Sequence, residues 1–204
     1  MRTIVVDRAY ALDYRDAVVV DVGAHKGCFG AFALEQGARA VLSFEPEPTN
    51  FDFLELCAAP YRQSGRDWRL HRVAVGGTDG SAELHVMAAS WGHALTPPEE
   101  SGRYQVGVER VRVVAMTDVL AEAAQIARTG PIVVKVNAEG AECSIVLETP
   151  FASWESVTEF LAEVHSWAAC TADELTAYLS QAGLLMAPRG EVDWVLRLSR
   201  RPVS

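Results

Sequence analysis

The sequence predicts a doubly wound α/β domain over residues 1–204: a mostly parallel seven-stranded sheet, an antiparallel edge hairpin near the C-terminus and a small accessory β insertion around 81–114. Three observations predict it. Ala17 to Val20 and Ile132 to Val136 are short, mostly apolar runs, suited to strands covered on both faces, and such strands belong to parallel sheets. The first run leads through a glycine-bracketed turn, Gly23 to Gly27, into apolar side chains at three- and four-residue steps that Gly37 closes, the strand, turn, helix order of a wound sheet. A chain of 204 residues, half of them apolar, suits one packed core of this class.

Taken in order, residues 1–16 carry Tyr10 and Tyr14 and read as a strap packed on the sheet edge or over a ligand. The first strand, a helix from Cys28 to Gln36 and a second strand from Ala40 to Phe44 follow. Thr49-Asn50 supplies capping chemistry for a second helix, and Trp68 to Val75 reads as a third strand. Ser81–Met87 and Val106–Val114 alternate as accessory strands that pair with each other. Between them, residues 88–105 hold Trp91, His93 and Pro97-Pro98 and read as a lid or substrate loop. Thr117-Asp118 opens a helix, and the core strand at Ile132 is followed by a helix over Glu142–Glu148. Val157–Val164 is a further core strand. Thr171 and Glu174 form a capping box for the last helix, which Gly183 ends, and Leu184–Ala187 with Asp193–Leu198 make the edge hairpin.

The chemistry concentrates at strand tips, where wound sheets place their ligands. Gly23 and Gly27 permit positive φ, and the helix start offers unpaired N–H groups around Gly23, Ala24, His25 and Gly27. Glu45, eighteen residues past Gly27 at the end of the second strand, has the placement of a carboxylate that accepts both hydroxyls of a ribose. Pro46 follows it, Asn50 lies one turn further, and Val75 offers an apolar rest for an adenine. An adenosine-type ligand fits this set. Pyrophosphate dinucleotides require a glycine where His25 stands, and an imidazole there crowds the phosphates, so an NAD-linked oxidoreductase is disfavoured.

A second informative stretch is Lys135-Val-Asn137-Ala-Glu139-Gly-Ala-Glu142. Alternation puts Lys135, Asn137 and Glu139 on one side if the strand persists, facing the first tip. The plain alternative is a structural ion pair of Lys135 with Glu139 or Glu163. His165, at another strand tip, has the chemistry of a proton acceptor near neutral pH, against the alternative of a hydrogen-bonded bystander; His25 and His93 are weaker candidates.

Composition narrows the partners. A net charge of −9 gives no electrostatic reason to bind nucleic acid or an anionic membrane. The N-terminal residues carry charges where a signal peptide needs an apolar stretch, and no segment has the length of a membrane span. Cys28, Cys57, Cys143 and Cys170 are scattered in neither a zinc nor a disulfide pattern, so no metal is expected and a reducing cytoplasm is.

The motifs together resemble the FkbM family of S-adenosylmethionine (SAM) dependent methyltransferases. The resemblance runs from Val18 to Trp167 and rests on Asp21-Val-Gly-Ala-His-Lys-Gly27, Phe44-Glu-Pro-Glu-Pro48, Thr117-Asp-Val-Leu120, Glu163-Val-His165 and, most specifically, Lys135 to Glu142. Asn137 stands where the family's pattern has Asp. The resemblance implies a Rossmann-like class I methyltransferase fold, SAM as cofactor, and methyl transfer to a small-molecule hydroxyl, as in secondary metabolites and sugars. On that reading Asp21 serves the cationic amino-acid end of SAM, Glu45 its ribose, and Lys135 and Asn137 orient substrate or the methionine end, with His165 or Glu139 as base. The rival from another class is a non-catalytic SAM-binding module, motivated by Asn137.

Overall fold

The computed structural model describes residues 10–95, 99–187 and 194–200. The elements are β1 (Val18–Val22), α1 (Cys28–Glu35), β2 (Ala40–Phe44), α2 (Pro48–Gln63), β3 (Asp67–His71), β4 (Ala74–Gly76), β5 (Gly80–Met87), β6 (Gln105–Ala115), α3 (Met116–Ala127), β7 (Ile132–Val136), α4 (Glu142–Leu147), β8 (Glu159–Glu163), α5 (Ala172–Ser180), β9 (Leu185–Met186) and β10 (Val195–Ser199). The first nine residues of the expected strap, residues 96–98 of the expected lid and Asp193 of the expected hairpin lie outside the described residues.

β1 is buried along its whole length because it is an interior strand of a seven-stranded sheet, ordered β3-β2-β1-β7-β8-β10-β9. It pairs in parallel with β2 on one side and β7 on the other, Val18 lying opposite both Ala40 and Ile132. Alternate side chains serve two cores, as a period of two demands. Val18, Val20 and Val22 join β2, β7 and β8 residues under α3, α4 and α5, while Val19 packs under α1 and α2 with Tyr14, Phe29 and Trp68. The strand order reverses between β1 and β7, so their carboxyl ends open a crevice. The edge hairpin is present, β10 running antiparallel to both β8 and β9.

The expected third strand divides. Its first half, β3, follows β2 in parallel until Glu45 N–H donates to the His71 carbonyl at 3.1 Å. Pro46 has no N–H to continue that ladder. The chain leaves the main sheet, and β4 joins a second sheet of order β4-β6-β5, in which β5 and β6 form the expected antiparallel pair. This places the β4 backbone beside the crevice.

Two helix starts differ from the expected ones. Glu47, not Thr49, caps α2, its carboxylate accepting from Asn50 N–H with Pro48 in the first turn. α3 begins at Met116 rather than after Thr117, and Asp79 takes the Ala115 N–H across the turn. The capping box at Thr171 and Glu174 is present. Tyr10 and Tyr14 are buried with their rings edge-on to Phe29, so the described part of the strap is packing on the sheet's helical layer.

The cysteine expectation is corrected: Cys143 and Cys170 are disulfide-bonded, closing a separation of 27 residues, while Cys28 and Cys57 are free. The spacing hid the pair because it joins α4 to the loop after β8, a contact made only in the folded sheet. The bond removes the cysteine argument for a reducing compartment. No helix among the described residues is long and apolar enough to cross a membrane.

Candidate active site

The tips of β1 and β7 are in backbone contact. Gly23 has φ +70, and a Cβ on it would stand 1.8 Å from the Asn137 carbonyl oxygen. The glycine is therefore required by the opposing strand tip before any ligand is considered. Gly27, at φ +83, likewise leaves room for protein: a Cβ would stand 2.8 Å from Leu54 and 3.3 Å from the Trp68 ring, which is anchored by a 2.9 Å indole bond to Ser43. His25, in the place of the middle glycine, also takes a positive φ, 54°. Its backbone N–H donates to Glu45 Oε2 at 2.8 Å, and Glu45 Oε1 accepts from Glu47 N–H at 2.9 Å.

Lys135 lies opposite Asp21 in register, and neither side chain reaches the cleft. The ammonium donates to Asp21 Oδ1 at 3.0 Å and to the carbonyls of Val22 at 3.1 Å and Gly23 at 2.8 Å. Its three donors are used on the β1 tip. This corrects the alternative of an ion pair with Glu139 or Glu163: Lys135 pairs with Asp21 and braces the β1 tip. Asp21, buried, gives Oδ1 to that ammonium. The expected alternation from Lys135 through Asn137 to Glu139 stops because β7 ends at Val136. Asn137 N–H donates to the Val22 carbonyl at 3.2 Å, and Glu139 and Gly140 take φ of 50° and 98°.

Between the tips, β4 and the loop Ala88–Leu95 lies a cleft of about 160 Å³. Of the residues predicted from sequence, Gly23, His25, Glu45, Pro46, Asn50, Val75, Asn137 and Glu139 line it, and Asp21, Ala24, Gly27, Lys135 and His165 do not. The apolar wall comes from Phe44, Ala74, Val75 and Leu84. Ser90 was not foreseen. Its carbonyl accepts from Asn50 Nδ2 at 2.8 Å, and its hydroxyl lies 3.2 Å from His25 Nε2 and 3.3 Å from Lys26 Nζ, so it fastens the loop over the cleft. Nothing in the local sequence marks this serine, since its partners come from α2 and the β1 turn. Trp91 and His93 also line the cleft.

The electrostatics sort the titratable groups. Burial raises Glu45 to about 7, against hydrogen bonds from Glu47 and His25 that pull it down. Burial lowers His25, with Lys26 adding to the effect, and burial likewise lowers His93. His165 behaves oppositely. Burial would lower it, but its ring nitrogens face Glu142 at 3.0 Å and Glu139 at 3.4 Å, and these pairings push it up to about 10. Both ring nitrogens face carboxylates, which favours the charged ring, and His165 does not line the cleft. Among the described residues no cluster of His, Cys, Asp and Glu has the makings of a metal site.

A mostly parallel wound sheet with an acid at the end of its second strand and an apolar wall beside it is the architecture of a Rossmann-like class I methyltransferase fold. The model of the FkbM methyltransferase domain matches residues 21–183, and the chain belongs to that family. Its fold is similar to that of a solved FkbM methyltransferase from Methylobacillus flagellatus KT, with a TM-score of 0.60 at 16% identity. That match covers 94% of this chain and 46% of the other, so the chain spans about half that protein's length. It is also similar to a protein of the NADB-Rossmann superfamily from Streptococcus agalactiae (TM-score 0.52, 10% identity, 100% and 70% covered) and to an uncharacterized protein from Listeria monocytogenes serotype 4b (0.51, 12%, 100% and 70%). No curated protein matches the chain. Membership of that family implies SAM as the methyl donor.

The chemistry of the cleft lining suits that donor. Glu45 places a carboxylate at the end of β2 in the cleft wall. Asn50 Oδ1 and Asn137 Oδ1 are buried acceptors without a protein partner, and both residues line the cleft. Buried polar atoms of this kind are rare unless a ligand or water meets them.

Proposed function

We propose that the chain catalyses methyl transfer from SAM to a hydroxyl of a small metabolite. The observation that carries this reading is one cleft joining a ribose-type acid, Glu45, to a second carboxylate, Glu139, on the tip of β7. SAM supplies an electrophilic methyl group on a cationic sulfur. What the chain contributes is binding through Glu45, Asn50 and the Gly23 turn, an apolar wall at Val75, and a carboxylate, Glu139, placed to take the acceptor's proton. Asn137 retains hydrogen-bonding capacity at the position where the family has an acid; its Nδ2 donates to Glu163 at 2.9 Å.

The loop Ala88–Leu95 acts as the lid on this reading. A cleft of about 160 Å³ is smaller than the roughly 300 Å³ at which drug-sized ligand pockets begin. Admission of the cofactor then requires the loop to lift from Asn50 and His25. Ser90 and Trp91 close over the site afterwards and exclude water.

The test is to incubate the purified protein with SAM and a pool of hydroxylated metabolites and to measure S-adenosylhomocysteine. Product above the acceptor-free control, with a methyl-ether product in the pool, is the expected result. Tight S-adenosylhomocysteine binding with no turnover on any pool favours the non-catalytic module instead.

A further inference from the structure

We propose that Glu142 is a positioning residue that acts through His165 to hold Glu139 over the cleft, an inference that rests on the methyl-transfer reading above. Glu142 opens α4 and is wholly buried. A buried carboxylate is costly unless its lone pairs are met. Every donor that meets it belongs to the machinery around Glu139: Ala138 N–H at 2.9 Å, Gly140 N–H at 3.0 Å, and His165 Nδ1 at 3.0 Å.

Two separate constraints thus converge on Glu139 from one side chain. The backbone constraint is that Glu142 binds the residue before and the residue after Glu139, which itself sits at φ 50°, a strained conformation for a side chain of this type. The side-chain constraint is that Glu142 orients the His165 ring, whose Nε2 faces Glu139 Oε2 at 3.4 Å. Glu139 lines the cleft, and Glu142 and His165 do not. The Cys143–Cys170 bond fastens the residue next to Glu142 to the loop that carries His165.

The groups facing the imidazole are Glu139 from the β7 turn, Glu142 from α4 and Glu163 from β8 at 4.0 Å, with the Trp167 ring 4.5 Å away and Lys135 acting on Glu163. Three carboxylates keep the ring cationic, in line with its raised pKa. In the transfer, the acceptor O–H bond breaks and its proton goes to a Glu139 oxygen. The oxygen's electron pair forms the bond to the methyl carbon, and the carbon–sulfur pair stays on sulfur. His165 keeps its proton throughout and fixes the direction in which Glu139 points.

The test uses Glu142→Gln in the full chain, which removes the charge and keeps an oxygen for the turn's N–H groups. NMR titration of the His165 imidazole should fall by about 1–3 pH units. Turnover of the acceptor fraction that wild type methylates should drop about tenfold or more, with its alkaline limb shifted down in step. Affinity for S-adenosylhomocysteine by calorimetry should stay within about threefold, since Glu142 is outside the cleft. An unmoved titration, an unmoved kcat, or a loss of cofactor affinity equal to the loss of turnover overturns the proposal. If Glu142→Gln does not fold, His165→Gln must show the same split between kcat and affinity. A wild type that methylates nothing fails the methyl-transfer reading itself, and the titration then still reports whether Glu142 sets His165.

Discussion

Gly23→Ala tests whether the two strand tips are assembled as described. The new Cβ would stand 1.8 Å from the Asn137 carbonyl oxygen and 2.9 Å from its carbon, both backbone atoms. Reaching an ordinary contact requires a separation greater by about 1.6 Å or more. That movement strains the Asn137 N–H bond to Val22 and the Lys135 bond to the Gly23 carbonyl. Gly65 supplies the control. It has φ +83 and nothing within 4 Å of its notional Cβ, so Gly65→Ala carries only the left-handed penalty, about 1–2 kcal/mol. Gly23→Ala carries that penalty and about 1–3 kcal/mol of overpacking. At about 2–4 °C per kcal/mol for a chain of this size, Gly23→Ala should melt about 2–12 °C below Gly65→Ala by scanning calorimetry. It should also bind S-adenosylhomocysteine at least tenfold more weakly, because the displaced carbonyl belongs to the cleft rim. Coincident melting of the two variants refutes the tip contact.

Two further outcomes follow from burial and from the crosslink. Glu45 titrates near 7 in the free protein, and a ribose diol favours its ionised form, so S-adenosylhomocysteine affinity should rise about tenfold between pH 6 and pH 8. Calorimetry on Glu45→Gln should show weak binding with no such slope, and a pH-independent wild type removes the ribose assignment. The Cys143–Cys170 bond closes a 27-residue separation, worth about 3.5 kcal/mol in the chain-entropy picture. Unreduced, denatured protein should therefore show two of its four thiols, and reduction should lower the melting temperature by about 7–14 °C; four free thiols before reduction contradict the crosslink.

The sheet was legible because β1, β2, β7 and β8 are short apolar runs whose nature is local, and the turn signals bounding them are local too. What failed to read was contact between distant segments. The run from Trp68 to Val75 reads as one strand from composition alone; its division depends on where β2 runs out of donors, at Pro46. Cys143 and Cys170 became neighbours only through the packing of α4 against the loop after β8. At the site, Glu45, Asn50 and Asn137 were found by motif position, whereas Ser90 holds its place through α2 and the β1 turn and has no local signature. The carboxylates around His165 were equally hidden, because no sequence window contains Glu139, Glu142 and Glu163 as a shell.

The strand tips hold two kinds of polar group, and their position relative to the cleft separates the roles that sequence alone left merged. Lys135 and Asp21 had the same claim to a ligand as Glu45 and Asn50, being polar residues at or near the carboxyl ends of parallel strands. Yet Lys135 spends all three donors on the β1 tip, which is what a brace does. Glu45 is held in the opposite sense. Burial lifts it from 4.5 to about 7, so the folded protein is stabilised by its protonated form below the unfolded value and loses that contribution, about 3 kcal/mol, as pH rises through 7. Two backbone N–H groups do not offset the burial. The carboxylate ties the β1 turn to the start of α2 but is kept at that cost at neutral pH, beside an Asn50 oxygen that meets no protein donor. On the methyl-transfer reading proposed above, ligand hydroxyls meet both at once. Asp21 Oδ2 is also buried without a partner, but it lies outside the cleft, whereas Asn50 Oδ1 and Asn137 Oδ1 belong to residues that line it; position at the cleft, together with an open acceptor, is what separates the groups proposed for the cofactor from the frame.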